Sequence, residues 1–425
     1  MKAFVAQALL QKVRLDANTA KFLPLLALYL AIVLVFAKDG FQGDESRYVQ
    51  YASNLTQGYY ADPVYVLWNG PGYPLLLAPC MALGCSWLLV KLLNAFFLFG
   101  GLLYFYRTLT FYLSEQMATF FAFLLGLYPP ILQEAPALLT EPLAFFLICA
   151  FCFYYCRLGQ QPEGRVATLL AAVCLGWLAL TKIFFGYVLL ASLFCFLLLS
   201  LWSGRQEHRR SWRTFLLALI LCMPYLFYTY TVTGRVFYWG NSGGTSAYWI
   251  STPYREELGD WNGSPGHLRQ NNENLILNHG AYFGRLANLP PIEWDGELEK
   301  RALQNITEHP GKFLLNLLAN IGRLLFSYPF SYTPQKLSTF VYLIPNMFLV
   351  VVFVLLILPA WMARGVIPPE LKALLLVAGV AFCGSSLLSG YHRQAQILVP
   401  IILLWIAYVL TRVLEIRIRV HETGH

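Results

Sequence analysis

Apolar segments about 20 residues long recur along this chain, and a helix of that length crosses the hydrocarbon core of a bilayer. Of the 425 residues, 58% are hydrophobic and 12% are charged, whereas a soluble protein carries roughly 25% charged residues. The mean hydropathy is +0.54. The sequence therefore predicts an all-α polytopic membrane protein with about ten transmembrane helices.

The positively charged residues predict how these helices are oriented. They cluster before the first apolar segment, in one short loop and after the last apolar segment. The clusters are Lys2, Lys12, Arg14 and Lys21; Arg205, Arg209, Arg210 and Arg213; and Arg412, Arg417 and Arg419. Because short segments rich in Lys and Arg stay on the cytoplasmic side, we expect both termini to be cytoplasmic, in a multi-pass protein of the bacterial inner membrane. The net charge of +8 is thereby explained without a nucleic-acid partner.

The order of apolar and polar segments divides the chain into three parts. Residues 1–230 form an N-terminal transmembrane module, and its first outer loop, 38–85, is predicted to carry juxtamembrane helices. Residues 231–338 form one long outer region. Residues 339–425 contribute the last transmembrane helices and a cytoplasmic tail.

One apolar segment in the long outer region has two readings. A helix is predicted over residues 295–308, and His309-Pro310 then opens the apolar segment 313–326. If this segment crossed the membrane, Arg364 after the next span would lie outside, against the distribution of charge. We therefore expect 313–326 to lie at the interface or to re-enter the membrane.

A short amphipathic helix is predicted at the membrane surface after the first span. Its buried face would consist of residues at helical spacing: Tyr48, Tyr51, Ala52 and Leu55. Asp44 has the chemistry of an N-cap, with its carboxylate near the positive end of the helix dipole, and Gly58 is a suitable end. Adjacent helical residues point about 100° apart, so Asp44 and Glu45 face different surroundings. The pattern predicts one catalytic carboxylate and a companion.

Ionisable residues at membrane depth are candidate site residues because burying them in lipid is expensive. Glu134 and Glu141 lie in the second outer loop, where Pro136 interrupts a continuous helix. Glu141 also suits the start of a helix, so complementing the helix dipole is an equal alternative for it.

Cations near the outer face are the second group of candidates. Lys91 shares a helix face with Asn94, and Lys182 lies at an outer turn, where reaching the interface is the simpler explanation. His392 and Arg393 carry positive charge on the outer side, where an anionic partner would account for them. Arginine binds phosphate through a bidentate fork, although anchoring to lipid headgroups is an alternative.

Carboxylates and cations around a cavity at the outer membrane face suit an enzyme that transfers a group from a lipid phosphate. A carboxylate would take a proton from an incoming hydroxyl, and the cations would hold the phosphate leaving group. The alternatives are a transporter or flippase of lipid-linked sugars and a ligase that uses a diphosphate donor. Transporters typically show internal repeats and helices broken at the midplane, which are not visible in this sequence.

Several motifs, in this order, carry a resemblance to a known family. They are Asp44-Glu45-x-x-Tyr48, Gly70-Pro-Gly-Tyr-Pro-Leu-Leu-Leu-Ala78, Lys91-x-x-Asn94, Leu139-Thr-Glu-Pro-Leu143, Ala179-Leu-Thr-Lys182, Glu308-His-Pro310, and Arg393 ahead of Pro400. The chain resembles the GT-C glycosyltransferases that use polyprenyl-phosphate sugars, the enzymes related to protein O-mannosyltransferases and to the aminoarabinose transferase of lipid A.

The resemblance implies a GT-C fold and transfer of a sugar, with inversion, from undecaprenyl or dolichyl phosphate to a hydroxyl of a protein, lipid or glycan. It implies Asp44 as the catalytic residue, with Glu45 and Glu141 as supporting acids. The candidate donor-phosphate ligands are Arg393, His392, Lys182 and Lys91. His309 and Tyr48 are weaker candidates for contacting the acceptor or a metal.

No cofactor is implied with certainty, and a divalent cation is the one candidate. The aminoarabinose-type enzymes carry another glutamate in the first outer loop, and this sequence has none between Asp62 and Asn69. The family also often has arginine at the position of Lys182.

Overall fold

The computed structural model describes residues 17–61, 66–161, 164–270 and 272–414. Those residues form helices and connecting loops, with no strand among them. Within these described ranges, six helices are long and apolar enough to cross a membrane, and three shorter apolar helices accompany them. The predicted all-α polytopic membrane architecture is confirmed. Most of the basic residues predicted to mark the cytoplasmic ends, from Lys2 to Arg14 and from Arg417 to Arg419, lie outside the described residues.

The first half of the chain contributes the helices α1 to α11. Their bounds are α1 Ala17–Ala20, α2 Leu23–Phe36, α3 Asp44–Thr56, α4 Pro74–Ala82, α5 Trp87–Leu109, α6 Glu115–Gly126, α7 Pro129–Gln133, α8 Glu141–Gln160, α9 Arg165–Thr181, α10 Phe184–Ser203 and α11 Gln206–Thr233. The apolar stretch that follows α5 is divided between α6 and α7, because Pro129 begins a new helix.

The second half contributes the helices α12 to α19. Their bounds are α12 Gly243–Ile250, α13 Glu273–Leu286, α14 Pro291–Glu308, α15 Pro310–Phe326, α16 Phe340–Met362, α17 Pro369–Ser386, α18 His392–Gln396 and α19 Val399–Arg412. A single 3₁₀ turn, Leu337–Thr339, precedes α16. Sequence periodicity did not reveal α12 and α13, which lie in a polar stretch rich in Gly and Asn.

Residues 231–338 build a small apolar core that is separate from that of the membrane helices. Its buried members come from α12, α13 and α14. They are Tyr248, Trp249, Leu275, Phe283, Leu286, Trp294 and Leu298. This core gives residues 231–338 a fixed shape, so their polar groups keep defined positions relative to one another.

Helix α15 contains the apolar segment 313–326, and its apolar face is exposed while its polar face is buried. Leu314, Leu315 and Leu318 are exposed, whereas Asn316 and Asn320 are fully buried. Its polar face therefore points into the protein and its apolar face points out. That orientation suits a helix lying against lipid, and its placement at the interface stays a prediction.

The turn at residues 70–73, within the 38–85 loop, is packed tightly against the end of α9. The Gly72 N–H donates to the Leu180 carbonyl at 2.9 Å. A Cβ atom on Gly70 would lie 2.1 Å from that same carbonyl oxygen, and one on Gly72 would lie 2.5 Å from Thr181 Oγ1. Only glycine allows this approach, which fixes the position of the adjacent Lys182 relative to the first loop.

Candidate active site

Asp44 is the first residue of α3 and does not cap it. Gly43, with φ of 57°, occupies the cap position, and no side chain caps the helix. The predicted N-cap role of Asp44 is therefore wrong, because its carboxylate binds two guanidinium groups instead. Asp44 Oδ1 lies 2.5 Å from Arg47 Nη2, and Asp44 Oδ2 lies 3.1 Å from Arg393 Nη2.

Glu45 points away from Asp44, as the 100° step between adjacent helical residues predicts. Its Oε1 accepts from the Leu138 N–H at 2.7 Å, and its Oε2 accepts from the Gln42 N–H at 2.8 Å. The side chain of Glu45 is buried. Glu45 therefore joins the first outer loop to the second and does not enter the Asp44 site.

Lys91 is buried beside Glu45. Its Nζ donates to the Lys38 carbonyl at 2.6 Å and lies 3.8 Å from Glu45 Oε1. Asn94, one turn further along α5, donates to the carbonyls of Ala135 and Ala137 at 3.0 and 2.7 Å. These contacts favour a structural role for Lys91 over the predicted binding of donor phosphate.

Arg393 lies between two carboxylates that come from distant parts of the chain. In addition to its contact with Asp44, its Nη1 lies 3.6 Å from Glu141 Oε1. The same Glu141 oxygen accepts from Lys182 Nζ at 2.7 Å. The structure thus brings together four predicted site residues, from α3, the start of α8, the end of α9 and α18.

Glu134, at the end of α7, also lies in this group. Burial and the carboxylate of Glu141 raise the pKa of Glu134, whereas Arg393 and Lys182 lower it, and the net result is a pKa of about 7. The side chain of Glu134 also forms a hydrogen bond with Tyr342. We refer to Asp44, Glu134, Glu141, Lys182 and Arg393 as the Arg393 cluster. The sequence pointed to Glu134 and Glu141 as candidate site residues, but the spacing of residues along the chain could not show that they lie close to Arg393.

Electrostatics hold Arg393 firmly in its charged form. Burial alone would lower the pKa of Arg393, but the carboxylates of Glu141, Asp44 and Glu134 raise it above its ordinary value. The side chains of Asp44 and Arg393 are each 28% exposed, whereas that of Glu141 is 7% exposed. The cluster is therefore open to a ligand on the side of Asp44 and Arg393.

His392 contributes a neutral ring beside this charge. Burial and the adjacent Arg393 lower the pKa of His392 to about 3. Its ring lies on that of Tyr342, with 3.8 Å between the ring centroids. Within the described part of the chain, its buried Nδ1 has no hydrogen-bond partner. Any part that His392 plays in binding phosphate would thus be as a neutral ring.

Tyr48 is buried beneath the cluster. Its hydroxyl accepts from Asn69 Nδ2 at 3.3 Å, and its ring packs edge-on against that of Tyr73. Burial, together with the carboxylates of Asp44 and Glu141, raises the pKa of Tyr48 above its ordinary value. Tyr48 therefore stays neutral and supports the site from below.

His309 lies elsewhere, at the exposed junction between α14 and α15. Its N–H donates to the Asn305 carbonyl at 2.9 Å, and its own carbonyl accepts from the Phe313 N–H at 3.0 Å. A role for His309 in binding the acceptor stays a prediction.

The carboxylates of the Arg393 cluster do not fit a divalent cation. Among the described residues, no group of three His, Cys, Asp or Glu side chains is arranged to hold a metal ion. Asp44 and Glu141 instead face Arg47, Lys182 and Arg393. Positive side chains already occupy the surroundings that a cation would need.

No protein-family model and no curated protein matches the chain. Among solved structures, the oligosaccharyltransferase of Archaeoglobus fulgidus, tethered to an acceptor peptide, is similar with a TM-score of 0.53 and 13% identity. That match covers 93% of this chain and 50% of the archaeal one. The same archaeal enzyme, AglB, in complex with an inhibitory peptide and a dolichol-phosphate, has a TM-score of 0.52. This is the GT-C fold.

The GT-C fold covers nearly all of this chain, which spans about half the length of the archaeal oligosaccharyltransferase. ArnT from Cupriavidus metallidurans, in its apo state, has a TM-score of 0.40 and 14% identity, over 93% of this chain and 77% of that chain. The Arg393 cluster lies at the end of the GT-C helix bundle from which the first two loops and residues 231–338 extend.

Proposed function

We propose that the chain is an integral-membrane inverting glycosyltransferase, which moves a sugar from a polyprenyl-phosphate donor to a hydroxyl acceptor at the outer face of the membrane. The observation that carries the proposal is the position of Arg393, a partly exposed guanidinium between the carboxylates of Asp44 and Glu141. A guanidinium in this position can bind a phosphate, and the adjacent carboxylate of Asp44 would then lie close to the sugar that reacts.

Asp44 is the proposed general base. It would accept the proton of the acceptor hydroxyl as the acceptor oxygen forms a bond to the anomeric carbon of the sugar. The bond between that carbon and the phosphate oxygen breaks on the opposite face, which inverts the configuration. The polyprenyl phosphate leaves with the bonding electron pair, and its negative charge is stabilised by Arg393, with Lys182 behind Glu141.

The neighbours support a lipid-linked donor. The archaeal oligosaccharyltransferase of the same fold has been described with a dolichol-phosphate and with acceptor and inhibitory peptides. We propose undecaprenyl or dolichyl phosphate as the carrier for the present chain. The acceptor would be a protein, lipid or glycan hydroxyl, met by residues 231–338. No metal is given a part in the reaction.

The topology belongs to the same proposal. With the cytoplasmic loop at Arg205, Arg209 and Arg210, the Arg393 cluster falls on the outer side of the membrane. We propose a bacterial inner-membrane protein that meets its acceptor at that surface. Cysteines introduced one at a time into a variant that lacks the nine native cysteines, and labelled with a membrane-impermeant thiol reagent in intact cells, test this: residues 39 and 269 should react and residue 205 should not.

Radiolabelled sugar on a polyprenyl-phosphate carrier tests the reaction itself. The purified chain is reconstituted in liposomes with the donor and a panel of hydroxyl acceptors. Label that becomes covalently attached to an acceptor supports a transferase. Label that only crosses the bilayer on its lipid would identify a flippase instead. Mass spectrometry of lipids that copurify with the chain identifies the carrier.

A further inference from the structure

Asn320, on the inward face of α15, caps the end of α17. Its Nδ2 lies 2.7 Å from the Leu388 carbonyl, 2.9 Å from that of Ser386 and 3.3 Å from that of Ser385. Its Oδ1 accepts from the Gly390 N–H at 3.0 Å. The last carbonyls of a helix have no partner within the helix, and a side chain from another element can satisfy them. Here one amide does so and also holds the turn that follows.

Asn320 is itself oriented by a buried guanidinium. Arg323 Nη2 donates to Asn320 Oδ1 at 3.1 Å, and Arg323 Nη1 donates to the carbonyls of Leu258 and Pro329 at 2.9 and 3.1 Å. Both Asn320 and Arg323 are fully buried. With two donors on its oxygen and carbonyls around its nitrogen, the Asn320 amide has one orientation that satisfies every partner.

The turn held by Asn320, residues 387–391, is confined on its other sides. The Ser389 N–H donates to the Ser246 carbonyl at 3.1 Å. A Cβ atom on Gly390 would lie 2.8 Å from Leu324 Cδ2 and 2.8 Å from Gln394 Oε1. The turn is thus fixed between α12, α15 and α18. Arg393 follows it by two residues.

We propose that Asn320 is a positioning residue for Arg393. It would fix the turn that sets where the guanidinium meets Asp44 and Glu141, although it touches neither carboxylate nor ligand. The proposal rests on the proposed function, in which Arg393 holds the donor phosphate. Contacts of 3.1 and 3.6 Å to carboxylates on two other helices do not survive a shift of about 1 Å, so the turn must be held rigidly.

Asn316 provides a matched control one helical turn away. It is also fully buried, and its Nδ2 donates to the carbonyls of Ile250 and Thr252 at 3.0 and 2.9 Å, at the end of α12. Its hydrogen bonds reach neither the 387–391 turn nor the Arg393 cluster. Asn316→Leu and Asn320→Leu therefore remove the same chemistry from the same face of the same helix.

The experiment compares both variants and Arg393→Ala with the full-length wild type in lipid nanodiscs. Backbone hydrogen exchange reports local order, and titration with undecaprenyl phosphate reports phosphate binding. For Asn320→Leu we expect exchange about ten-fold faster across residues 387–396 and affinity about ten-fold weaker. For Asn316→Leu we expect faster exchange near residues 250–252 and affinity within about two-fold of wild type. Arg393→Ala should weaken binding at least as much as Asn320→Leu.

Each other outcome has one consequence. Unchanged exchange across residues 387–396 in Asn320→Leu overturns the positioning role. So does an equal loss of affinity in the two asparagine variants, because a general loss of stability would then explain it. If Arg393→Ala binds undecaprenyl phosphate as well as wild type does, the proposed function fails. Whether Asn320 positions the turn is then decided by hydrogen exchange: it should be faster across residues 387–396 in Asn320→Leu and not in Asn316→Leu.

Discussion

The Arg393 cluster and the buried cluster around Glu257 both surround carboxylates with hydrogen-bond donors, and they differ in the nature of those donors and in how fully the carboxylates are satisfied. Glu257 lies in the 231–338 region and is 1% exposed. The side chains that contact its carboxylate are Thr252, Asn278 at 3.0 Å, His279 at 2.8 Å and Tyr332 at 2.9 Å. Tyr248 completes the group with a 2.8 Å hydrogen bond to the other nitrogen of His279. We refer to these residues as the Glu257 cluster.

The Glu257 cluster is closed, because both carboxylate oxygens accept from surrounding side chains. Burial alone would raise the pKa of Glu257, but the hydrogen bonds from His279, Thr252 and Asn278 lower it below its ordinary value. In the Arg393 cluster, three carboxylates surround one guanidinium that is partly exposed. A buried cluster whose polar groups are all hydrogen-bonded stabilises the fold. In a partly exposed cluster with more carboxylates than cations, a charged side chain can give up one of its protein partners and bind a ligand instead.

The largest expected effect is on turnover. Asp44→Asn removes the proposed base while keeping the shape of the side chain and one of its two acceptor oxygens. We expect sugar transfer to fall by about a thousand-fold or more, with thermal stability close to that of wild type. Asp39→Asn, an exposed position in the same loop, is the control and should retain full activity. Turnover of Asp44→Asn at the wild-type rate in a purified, donor-supplied assay would remove Asp44 from the mechanism.

The next effect is on binding of the lipid phosphate. Arg393→Lys keeps the positive charge and loses the planar fork, so we expect affinity for undecaprenyl phosphate to fall about ten-fold. Arg364→Ala, an exposed arginine outside the cluster, should bind as wild type does. Titration of both variants by intrinsic tryptophan fluorescence measures the difference. Equal affinity of Arg393→Lys and wild type would mean that a point charge suffices and that the bidentate geometry is unused.

The same acid-to-amide change in the Glu257 cluster should have the opposite profile. Glu257→Gln places an amide where several donors converge, so we expect the unfolding free energy of the 231–338 region to fall by about 3 kcal/mol. Affinity for undecaprenyl phosphate should stay within about two-fold of wild type. Glu297→Gln, whose partly exposed side chain pairs with Lys300, is the control and should change little. A large loss of affinity in Glu257→Gln at unchanged stability would abolish the distinction between the two clusters.

The sequence predicted the helices whose cause is local. The bounds of α2 and α16 follow from continuous apolar composition, and α3 follows from an amphipathic pattern that ends near Gly58. Helices α12 and α13 were missed because they are stabilised by their shared core with Trp294 and Leu298, which no local pattern contains. The sequence also did not predict that the polar face of α15 is buried, because asparagines at helical spacing, such as Asn316 and Asn320, more often face water.

The candidate site was predictable by residue type but not by partner. Asp44, Glu141, Lys182 and Arg393 were singled out because charge at membrane depth needs a reason, and the fold brings them together. Lys91 carried the same signal, yet its partner is Glu45. Which carboxylate each cation meets depends on how the helices cross, between residues 41 apart for Lys182 and Glu141 and 349 apart for Arg393 and Asp44, and sequence spacing does not encode it.

The smallest expected effect is a pH dependence that arises from Glu134. Its side chain faces Glu141, Arg393, Lys182 and Tyr342, and the ring of Tyr342 also contacts the neutral ring of His392. With a pKa of about 7, above the ordinary value, Glu134 is neutral at pH 6 and negative at pH 8. Its negative charge near Arg393 would oppose an anionic phosphate, so affinity should fall as the pH rises through 7. In Glu134→Gln the side chain is neutral at every pH, so this contribution of residue 134 to the fall in affinity should be absent.

The ratio of the two affinities isolates Glu134, because undecaprenyl phosphate titrates identically with both proteins. We expect wild type and Glu134→Gln to bind equally at pH 6, and wild type to bind about three- to five-fold more weakly at pH 8. Titrations at half-unit intervals give the midpoint of the change, which should lie near 7. A ratio that stays constant between pH 6 and 8 would show that Glu134 does not sense the phosphate, and the open part of the cluster would then be limited to Asp44, Glu141 and Arg393.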